Sequence, residues 1–443
     1  MRVAPLISHG APEAVVAYRD GKAVHAARFL ADVAQVAAQL PAASHVLNAC
    51  KDRYSFTVGL AACISSGRVS LLPSTHTPET IRQLQEFAPD AICLTDDASC
   101  DVDLPLCHFP IGAPTVAAVW PPPAIPVDRR VAYIFTSGST GLPVPHAKTW
   151  GRLLRCVQIG AARLQLKKRK GHVIVGTVPP QHMYGFESTV LLSLHSGNAL
   201  CAERPFYPAD IAATLAAVPA PRILVSTPVH LRTLVKSDVE LPPIELVLCA
   251  TAPLDEALAR EVETRFGAPL LEIYGSTETG QIASRRPTQS AEWLLWPGVQ
   301  VTVRDEQTWV EGGHVEAATP MGDVLELIGA DRFLLRGRLA DMVNIAGKRS
   351  SMAYLNHQLN SIPGVLDGAF FLPEDESTTA IGVTRLGALA VAPGLTAEAI
   401  TKQLRERLDP AFLPRPLLLV PEIRRNATGK LPKHVLRALL AGA

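Results

Sequence analysis

The feature that most constrains the fold of this chain is the alternation of short apolar runs with segments of helical spacing. The first runs, which we predict to be buried strands, occupy residues 45–49, 69–73 and 91–94. Apolar residues at helical spacing predict helices over residues 21–40, 54–65 and 78–87. Short strands joined through helices indicate a parallel sheet, because parallel neighbours need a long crossover connection.

The alternation continues beyond a proline-rich stretch at 121–126, which we interpret as a stiff surface linker. Further strands are predicted at 131–135, 173–178, 222–225, 246–249 and 270–274. We therefore expect an α/β fold in which several sheets are flanked by helices. A β-rich layer follows, with short apolar runs at 299–303, 308–310, 324–328 and 333–335.

The C-terminal part of the chain has a different, α+β pattern. Helices are predicted at 353–359, 396–408 and from residue 432, and strands at 369–372 and 388–391. We predict two domains: a large multi-layer N-terminal domain at 1–338 and a small α+β C-terminal domain at 339–443.

Charge and composition exclude several classes of protein. The formal net charge is +1 and aromatic residues make up 5% of the chain, so neither a basic field nor a base-stacking surface for nucleic acid is expected. No apolar run is long enough to span a membrane, and the N-terminus does not resemble a secretory signal. The eight cysteines are scattered without zinc-site spacing, which favours a reducing cytoplasm.

A hydroxyl-rich loop at residues 136–141 directly follows the predicted strand at 131–135. Its residues are Thr136, Ser137, Gly138, Ser139, Thr140 and Gly141. Two glycines and four hydroxyl side chains can offer backbone N–H groups and hydroxyls to phosphate oxygens. The loop is not of the G-x-x-x-x-G-K-[ST] type, because no Lys-Ser/Thr pair follows it.

An acidic turn at residues 274–280 also follows a predicted strand. It contains Tyr274, Gly275, Thr277 and Glu278. A single carboxylate beside hydroxyls suits Mg²⁺, which prefers one or two carboxylates plus phosphate oxygens. Further glycine-containing turns carry Asp323, Arg338, Gly347 and Lys430.

Together these motifs resemble the adenylate-forming superfamily, which includes acyl-CoA synthetases, aryl acid ligases, the adenylation domains of peptide synthetases and firefly luciferase. The resemblance covers essentially the whole chain, with the motifs in the family's order. Asp323 precedes Arg338 by 338 − 323 = 15 residues, which is similar to the family's spacing between its ribose-binding Asp and its Gly-Arg pair.

The resemblance implies a role for each motif in binding ATP and Mg²⁺. The hydroxyl-rich loop would cradle the β- and γ-phosphates, and Tyr274 would stack on adenine. Thr277 would contact the α-phosphate, and Glu278 would ligate Mg²⁺. Asp323 would accept hydrogen bonds from the ribose hydroxyls.

The resemblance also implies that the C-terminal domain is a mobile lid. Arg338, at the junction, would hold the ribose or a phosphate. Lys430, on the lid, would bridge the acid's carboxylate and the α-phosphate, offsetting charge as oxygen attacks phosphorus. Gly347 would line the tunnel for pantetheine. His182, a candidate catalytic residue with Lys430, Glu278 and Thr277, lies with Tyr184 and Phe186 in a segment that matches the family's border of the acyl pocket. Pocket-wall and adenine-side segments of the family are matched by Thr227, Ala250 and Thr251.

The activity that the resemblance implies is ATP-dependent activation of a carboxylic acid to an acyl-adenylate, followed by transfer to a thiol. Because only 135 residues precede the hydroxyl-rich loop, the chain is similar to compact ligases that load carrier proteins. We therefore expect the phosphopantetheine thiol of an acyl carrier protein as acceptor, with free CoA as the alternative. The grouping of His182, Tyr184 and Phe186 favours a small aromatic acid such as a hydroxybenzoate, with a short or medium acyl chain as the alternative.

The chain departs from the family pattern at two places. The hydroxyl-rich loop usually continues with Pro-Lys-Gly, but here Pro143 is followed by Val144-Pro145. We hypothesise that Lys148 substitutes for the missing lysine. At the lid hinge, Ala340 occupies the position where the family usually has Asp or Lys, and we expect the next residue, Asp341, to act as the pivot. Asn344 occupies a position that is often Lys.

Because the lysine is missing, two other functions stay open. One is a catalytically weak relative that binds an acyl ligand without turnover. The other, more distant, is a luciferase-type oxidative second step. The retained Lys430, Glu278 and Asp323 favour an active ligase.

Overall fold

The structure is a computed structural model, and it describes most of the chain. The described residues are 2–110, 112, 114–117, 119–137, 143–166, 171–305, 307–338, 342–345, 348–372, 386–424, 431, 435–436 and 439–440. The predicted residues that lie outside the described ones are Gly138, Ser139, Thr140, Gly141, Ala340, Asp341, Gly347 and Lys430.

The chain divides into two compact units. The first comprises Met1–Val301, Val310–Thr319 and Ala330–Arg332, and the second comprises Thr302–Trp309, Pro320–Gly329 and Phe333–Ala443. The boundary of a mobile lid at 338/339 stays a prediction.

The first unit contains a largely parallel six-stranded sheet. The first ten strands are β1 (Val3–Pro5), β2 (Val15–Arg19), β3 (Lys22–His25), β4 (His45–Asn48), β5 (Val69–Leu72), β6 (Ile92–Thr95), β7 (Leu106–His108), β8 (Ala124–Pro126), β9 (Arg130–Ser137) and β10 (Pro143–Thr149). The sheet has the order β10-β9-β5-β4-β6-β7. All its neighbours are parallel except β10, which pairs antiparallel with β9 at one edge.

A second sheet of the first unit brings several strand ends to one edge. Its additional strands are β11 (Val173–Gly176), β12 (Ala199–Cys201), β13 (Arg222–Ser226), β14 (Leu246–Cys249), β15 (Leu270–Ser276), β16 (Gly280–Arg285) and β17 (Trp293–Leu295). Nine strands of this unit follow the order β17-β16-β15-β14-β13-β11-β12-β2-β3. From β15 to β2 every pair is parallel. The carboxyl ends of β11, β13, β14 and β15 therefore share one edge, where open α/β sheets bind ligands.

Helices cover both sheets, as the predicted α/β class requires. In the first unit they are α1 (Ala26–Gln39), α2 (Arg53–Ser65), α3 (Pro78–Phe87), α4 (Trp150–Arg163), α5 (Met183–Gly185), a π-helical turn (Phe186–Leu191), α6 (Leu192–Ser196), α7 (Pro208–Ala217), α8 (Pro228–Lys236) and α9 (Glu256–Phe266). In the part of the chain that the structure describes, every helix falls short of the length and apolar character that a membrane crossing needs.

Helix α2 is buried on nearly every side and is tied to the second sheet by one arginine. The guanidinium of Arg53, which is fully buried, donates to the carbonyls of Cys201, Glu203, Gly176 and Val178 at 2.8–3.0 Å. Four carbonyl acceptors satisfy a charge that burial would otherwise penalise. Burial still lowers the pKa of Arg53 to about 10.

The remaining strands and helices complete the β-rich layer and the α+β part. They are β18 (Val299–Arg304), β19 (Gln307–Gly312), β20 (Thr319–Met321), β21 (Asp323–Ile328), β22 (Arg332–Arg338), β23 (Met342–Ile345), β24 (Lys348–Ser351), α10 (Met352–Asn360), β25 (Asp367–Phe371), β26 (Gly387–Val391), α11 (Ala397–Arg405), a 3₁₀ turn (Pro410–Phe412) and β27 (Leu417–Leu419). The sheet β25-β26-β27 packs with α10 and α11 around a buried core of its own. The predicted α+β class of the small C-terminal part is confirmed.

Two of the predicted local elements are wrong. The helix predicted from residue 21 begins only at Ala26, because β2 and β3 form a hairpin there. Its turn residues Asp20 and Gly21 have φ of 49° and 71°, the left-handed pair that a tight Asp-Gly hairpin turn demands. The predicted linker is also wrong at its end, since β8 pairs with β1 and sets Pro126 opposite Val3.

Candidate active site

The acidic turn is the connection of an antiparallel hairpin between β15 and β16. A bulge between Tyr274 and Gly275 offsets the register. A Cβ on Gly275 would lie 2.1 Å from the carbonyl oxygen of Gly280, so only glycine fits this close approach. Within the turn, the Ser276 hydroxyl accepts from the Thr279 N–H and the Thr279 hydroxyl accepts from the Ser276 N–H, both at 3.2 Å. These bonds leave the half-buried Glu278 side chain at the tip of the hairpin.

The hydroxyl-rich loop is the connection of a second hairpin, between β9 and β10. Thr136 faces Val144 and Ile134 faces His146 across the pair. Pro143, together with Val144 and Pro145, which replace the Lys-Gly of the family's Pro-Lys-Gly pattern, lies on β10 at the edge of the sheet, where strands tolerate proline.

His146 joins the two hairpins. Its Nε2 lies 2.9 Å from Oγ1 of Thr136 and 3.5 Å from Oε1 of Glu278. Two segments that the sequence analysis connected only through family resemblance therefore meet through one imidazole. Sequence reasoning missed His146, although it stands within the segment where the family pattern is broken.

Lys148 supports the acidic turn from beneath. It is 3% exposed, and its Nζ donates to the backbone carbonyl of Glu278 at 2.9 Å. Burial lowers the pKa of this ammonium, while nearby carboxylates, Glu187 first among them, act in the opposite direction. That Lys148 replaces the missing loop lysine stays a hypothesis. In the structure its ammonium is buried under the acidic turn and donates to the backbone there.

The residues of the acidic turn fit a bound Mg²⁺. The Glu278 side chain retains 36% of its exposure, and half-buried hydroxyls of Ser276 and Thr277 flank it. Across the described ranges, no group of three or more His, Cys, Asp or Glu side chains is arranged to hold a metal. A single carboxylate with hydroxyls is the donor set expected when Mg²⁺ completes its octahedron with water and phosphate oxygens.

The predicted nucleotide and acyl-pocket residues lie at the carboxyl ends of the parallel strands. Thr227 directly follows β13, and Ala250 and Thr251 directly follow β14. Thr251 is exposed with φ of 84°, a left-handed conformation rare for a β-branched residue. Tyr274 lies near the end of β15, and its mostly buried ring packs 5.4 Å from the ring of Trp293.

The other predicted pocket residues follow β11 and differ in exposure. His182 is exposed, whereas the ring of Phe186 is fully buried in the core. The hydroxyl of Tyr184 is buried and has no hydrogen-bond partner among the described residues. Gly185 is fixed by packing, because a Cβ there would meet the carbonyl oxygen of Pro179 at 2.0 Å.

A polar cluster that sequence reasoning missed borders this edge of the sheet. Nδ1 of His230 lies 3.2 Å from Oγ1 of Thr177 and 3.0 Å from Oγ1 of Thr227, and Thr177 also bonds to Ser226. The imidazole packs edge-on against the exposed ring of Phe206, with centroids 5.0 Å apart. This wall offers both aromatic surface and hydrogen-bonding groups.

Two predicted nucleotide residues belong to the second unit. Asp323 is half-buried at the start of β21, and Arg338 is the last residue of β22. Their roles stay predictions, as do those of Lys430 and Gly347.

Comparison with known proteins places these motifs in a family context. A model of the AMP-binding enzyme family matches residues 9–316. A 4-coumarate–CoA ligase of Rhodobacter capsulatus is 28% identical over 282 residues, covering 64% of this chain and 68% of that protein. A 3-hydroxybenzoate–CoA/4-hydroxybenzoate–CoA ligase of Thauera aromatica is 24% identical over 414 residues, covering 82% of this chain and 76% of that protein.

The fold is shared with solved structures of low sequence identity. The o-succinylbenzoate coenzyme A synthetase (MenE) of Bacillus subtilis, in complex with ATP and magnesium ion, superposes with a TM-score of 0.79. The match covers 96% of this chain and 97% of that one at 19% identity. The predicted α/β architecture is thereby confirmed.

Proposed function

This chain belongs to the AMP-binding enzyme family and is an AMP-forming acid–thiol ligase, and from that premise we propose that it activates a small aromatic acid and passes it to the thiol of an acyl carrier protein. One observation supports the assignment of the site: Glu278 and Thr136, which stands at the start of the hydroxyl-rich loop, both contact the imidazole of His146. A carboxylate and a hydroxyl-rich turn at this separation can hold a metal–triphosphate between them.

The reaction has two half-reactions. First, a carboxylate oxygen of the acid bonds to the α-phosphorus of ATP, and pyrophosphate leaves with the electron pair of the broken P–O bond. Then a thiolate sulfur bonds to the acyl carbon and AMP leaves, while the thiol proton passes to solvent. Positioning and charge stabilisation supply most of the rate, as in other phosphoryl chemistry.

The described residues of the first unit would hold the nucleotide. Glu278 would carry Mg²⁺, which supplies charge neutralisation to the leaving pyrophosphate when bound. Thr277 would hydrogen-bond the α-phosphate, and Tyr274 would face the adenine. Asp323, Arg338 and Lys430 complete the proposed set from the second unit.

The wall formed by His230, Phe206 and Thr227 supports a small aromatic acid, with a hydroxybenzoate favoured. An exposed aromatic ring and an imidazole suit stacking on an aryl group, and a threonine hydroxyl suits a polar ring substituent. The coumarate and hydroxybenzoate in the names of the two relatives support the same class. An alkyl acid of short or medium length is the alternative.

The proposed acceptor is the phosphopantetheine arm of a carrier protein, by the resemblance of the chain's motifs to those of ligases that load carrier proteins. Free CoA is a second candidate, favoured by the names of the relatives, which are CoA ligases. The proposed location is the cytoplasm, in keeping with eight scattered cysteines that are all free thiols.

A panel assay tests acid and acceptor separately. Pyrophosphate release is measured with 3- and 4-hydroxybenzoate, benzoate, 4-coumarate, hexanoate and octanoate, first without a thiol. We expect the hydroxybenzoates to give the highest kcat/KM, and higher values for the alkyl acids would overturn the aromatic proposal. Mass spectrometry then follows acyl transfer to CoA and to a phosphopantetheinylated acyl carrier protein at equal concentration. Faster acylation of CoA would overturn the carrier-protein proposal.

A further inference from the structure

Four ionisable side chains lie buried together directly beneath the acidic turn. Lys148, Cys156, Glu187 and His314 are each no more than 3% exposed. They line one cavity, with Glu316 among its other walls, whose volume is about 10 Å³. That is room for one water molecule at most, so the charges act on one another across protein with little screening by solvent.

Glu187 connects this cluster to the strand that leaves the acidic turn. It lies on the π-helical turn, and its Oε2 accepts the backbone N–H of Gln281 at 3.1 Å. Its Oε1 accepts the thiol of Cys156, on α4, at 3.0 Å. A Cβ on Gly280 would lie 2.7 Å from the same Oε1, so the carboxylate presses against the backbone of the turn.

Lys148 holds the opposite side of the turn. Its Nζ donates to the Glu278 carbonyl at 2.9 Å. The turn is therefore held at two backbone groups, one before and one after Gly280, by a buried ammonium and a buried carboxyl group that line the same cavity. The Glu278 side chain projects from the residue whose carbonyl is held.

Stability alone is a weak reason for such an arrangement. Buried charges are costly to desolvate, and replacing a buried ion pair by apolar side chains of similar volume is often neutral or stabilising. A hydrogen bond from a buried ammonium to one carbonyl, and one from a backbone N–H to a buried carboxyl group, fix the geometry of the turn, because any other position would leave a buried polar group without its partner.

We propose that Lys148 and Glu187 are positioning residues that fix the acidic turn so that Glu278 meets Mg²⁺·ATP. This inference rests on the proposed role of Glu278 as the carboxylate for Mg²⁺. It assigns Lys148 to the support of the metal site, and not to the phosphates. Neither residue touches substrate, and both act through the backbone of the turn.

Calorimetric binding of Mg²⁺·ATP, and of ATP with EDTA, tests the proposal without turnover. Lys148→Met should weaken Mg²⁺·ATP binding by about tenfold, the usual effect of losing a hydrogen bond from a charged group. Binding of metal-free ATP should stay within about twofold, and Lys148→Arg should recover part of the loss. Glu187→Gln, which keeps the side-chain shape, should weaken Mg²⁺·ATP in the same direction.

Two further variants separate the possible failures. Tyr54→Phe, which removes a buried hydrogen bond to Asp32 in the same unit, controls for general loss of stability and should bind Mg²⁺·ATP normally. Glu278→Gln tests the proposed function itself. If Glu278→Gln loses metal-dependent binding while Lys148→Met and Glu187→Gln retain it, the positioning role of Lys148 and Glu187 is wrong. The assignment of Glu278 as the Mg²⁺ ligand is then unaffected. If Glu278→Gln binds Mg²⁺·ATP normally, the assignment of Glu278 as the Mg²⁺ ligand is wrong, and the positioning role of Lys148 and Glu187 is wrong as well.

Should Lys148→Met fail to fold, judged by its thermal transition against wild type, the isosteric Glu187→Gln decides. Loss of affinity for metal-free ATP to the same degree as for Mg²⁺·ATP in Glu187→Gln would show a general structural role and overturn the proposal.

Discussion

At the scale of single residues, Glu187 makes the stability of the protein depend on pH. Burial raises its pKa from 4.5 to about 7, and the Cys156 thiol, the Lys148 ammonium and the Gln281 N–H lower it only in part. Arg152, His314 and Glu316 are the other titratable or charged groups that line the same cavity. Below pH 4.5 the carboxyl is protonated in both folded and unfolded chains. Between pH 4.5 and 7 only the folded chain keeps the proton, so the free energy of unfolding falls as pH rises.

The Glu187→Gln variant should lack this decrease of the free energy of unfolding with rising pH. A shift of about 2.5 pH units corresponds to about 3 kcal/mol, so the free energy of unfolding of wild type relative to the variant should decrease by roughly that amount between pH 4.5 and pH 7.5. Chemical denaturation at several pH values in this window measures the difference. Parallel pH profiles for wild type and Glu187→Gln would contradict the prediction.

Some residues of this site can be recognised from the sequence, and others cannot. Glu278 and the hydroxyl-rich loop were recognisable because each is a compact local pattern. His146 and Glu187 were not recognisable as site residues, and Lys148 was named only as a substitute for the missing loop lysine, because their contacts arise only when β10, α4 and the π-helical turn pack under the acidic turn. A lone buried charge in a sequence does not reveal its partner.

At the scale of elements, the β15–β16 hairpin decides where the acidic turn lies. Gly275→Ala would place a methyl group 2.1 Å from the Gly280 carbonyl. Overpacking against backbone typically costs about 1–3 kcal/mol, so the variant should lose that much stability and most of its Mg²⁺·ATP affinity. Gly10→Ala is the control, since no atom lies within 4 Å of a Cβ there. Thermal melting and calorimetry check both variants, and a Gly275→Ala protein that matches Gly10→Ala in both would refute the role of the hairpin.

Element prediction succeeded where the hydrophobic pattern was unambiguous. The runs at β4, β5, β6, β13 and β14 are short, apolar and buried, and the structure confirms them. The pattern misled at residue 21, because Val24 fits both a helical stripe and a hairpin strand. Only the left-handed Asp20-Gly21 turn distinguishes the two, and pairing of β3 with β2 is a tertiary event.

At the scale of the whole molecule, the account requires two units with separate tasks. The first unit contains the proposed metal site, the proposed acid wall and the hydroxyl-rich loop. The second unit contains Asp323, Arg338 and Lys430, whose roles at the nucleotide stay predictions from the resemblance. The sequence predicted both the α/β class and the small α+β part, because each follows from alternation of elements.

The most direct test of the central claim is acid-dependent exchange of labelled pyrophosphate into ATP, measured for wild type and Lys430→Ala. The account predicts exchange in wild type that requires both a carboxylic acid and Mg²⁺. It predicts a loss of about a hundredfold or more in Lys430→Ala, the usual effect of removing a transition-state donor, with Mg²⁺·ATP binding retained. Wild-type protein that binds Mg²⁺·ATP but gives no exchange with any acid of the panel, or exchange unaffected by Lys430→Ala, would contradict it.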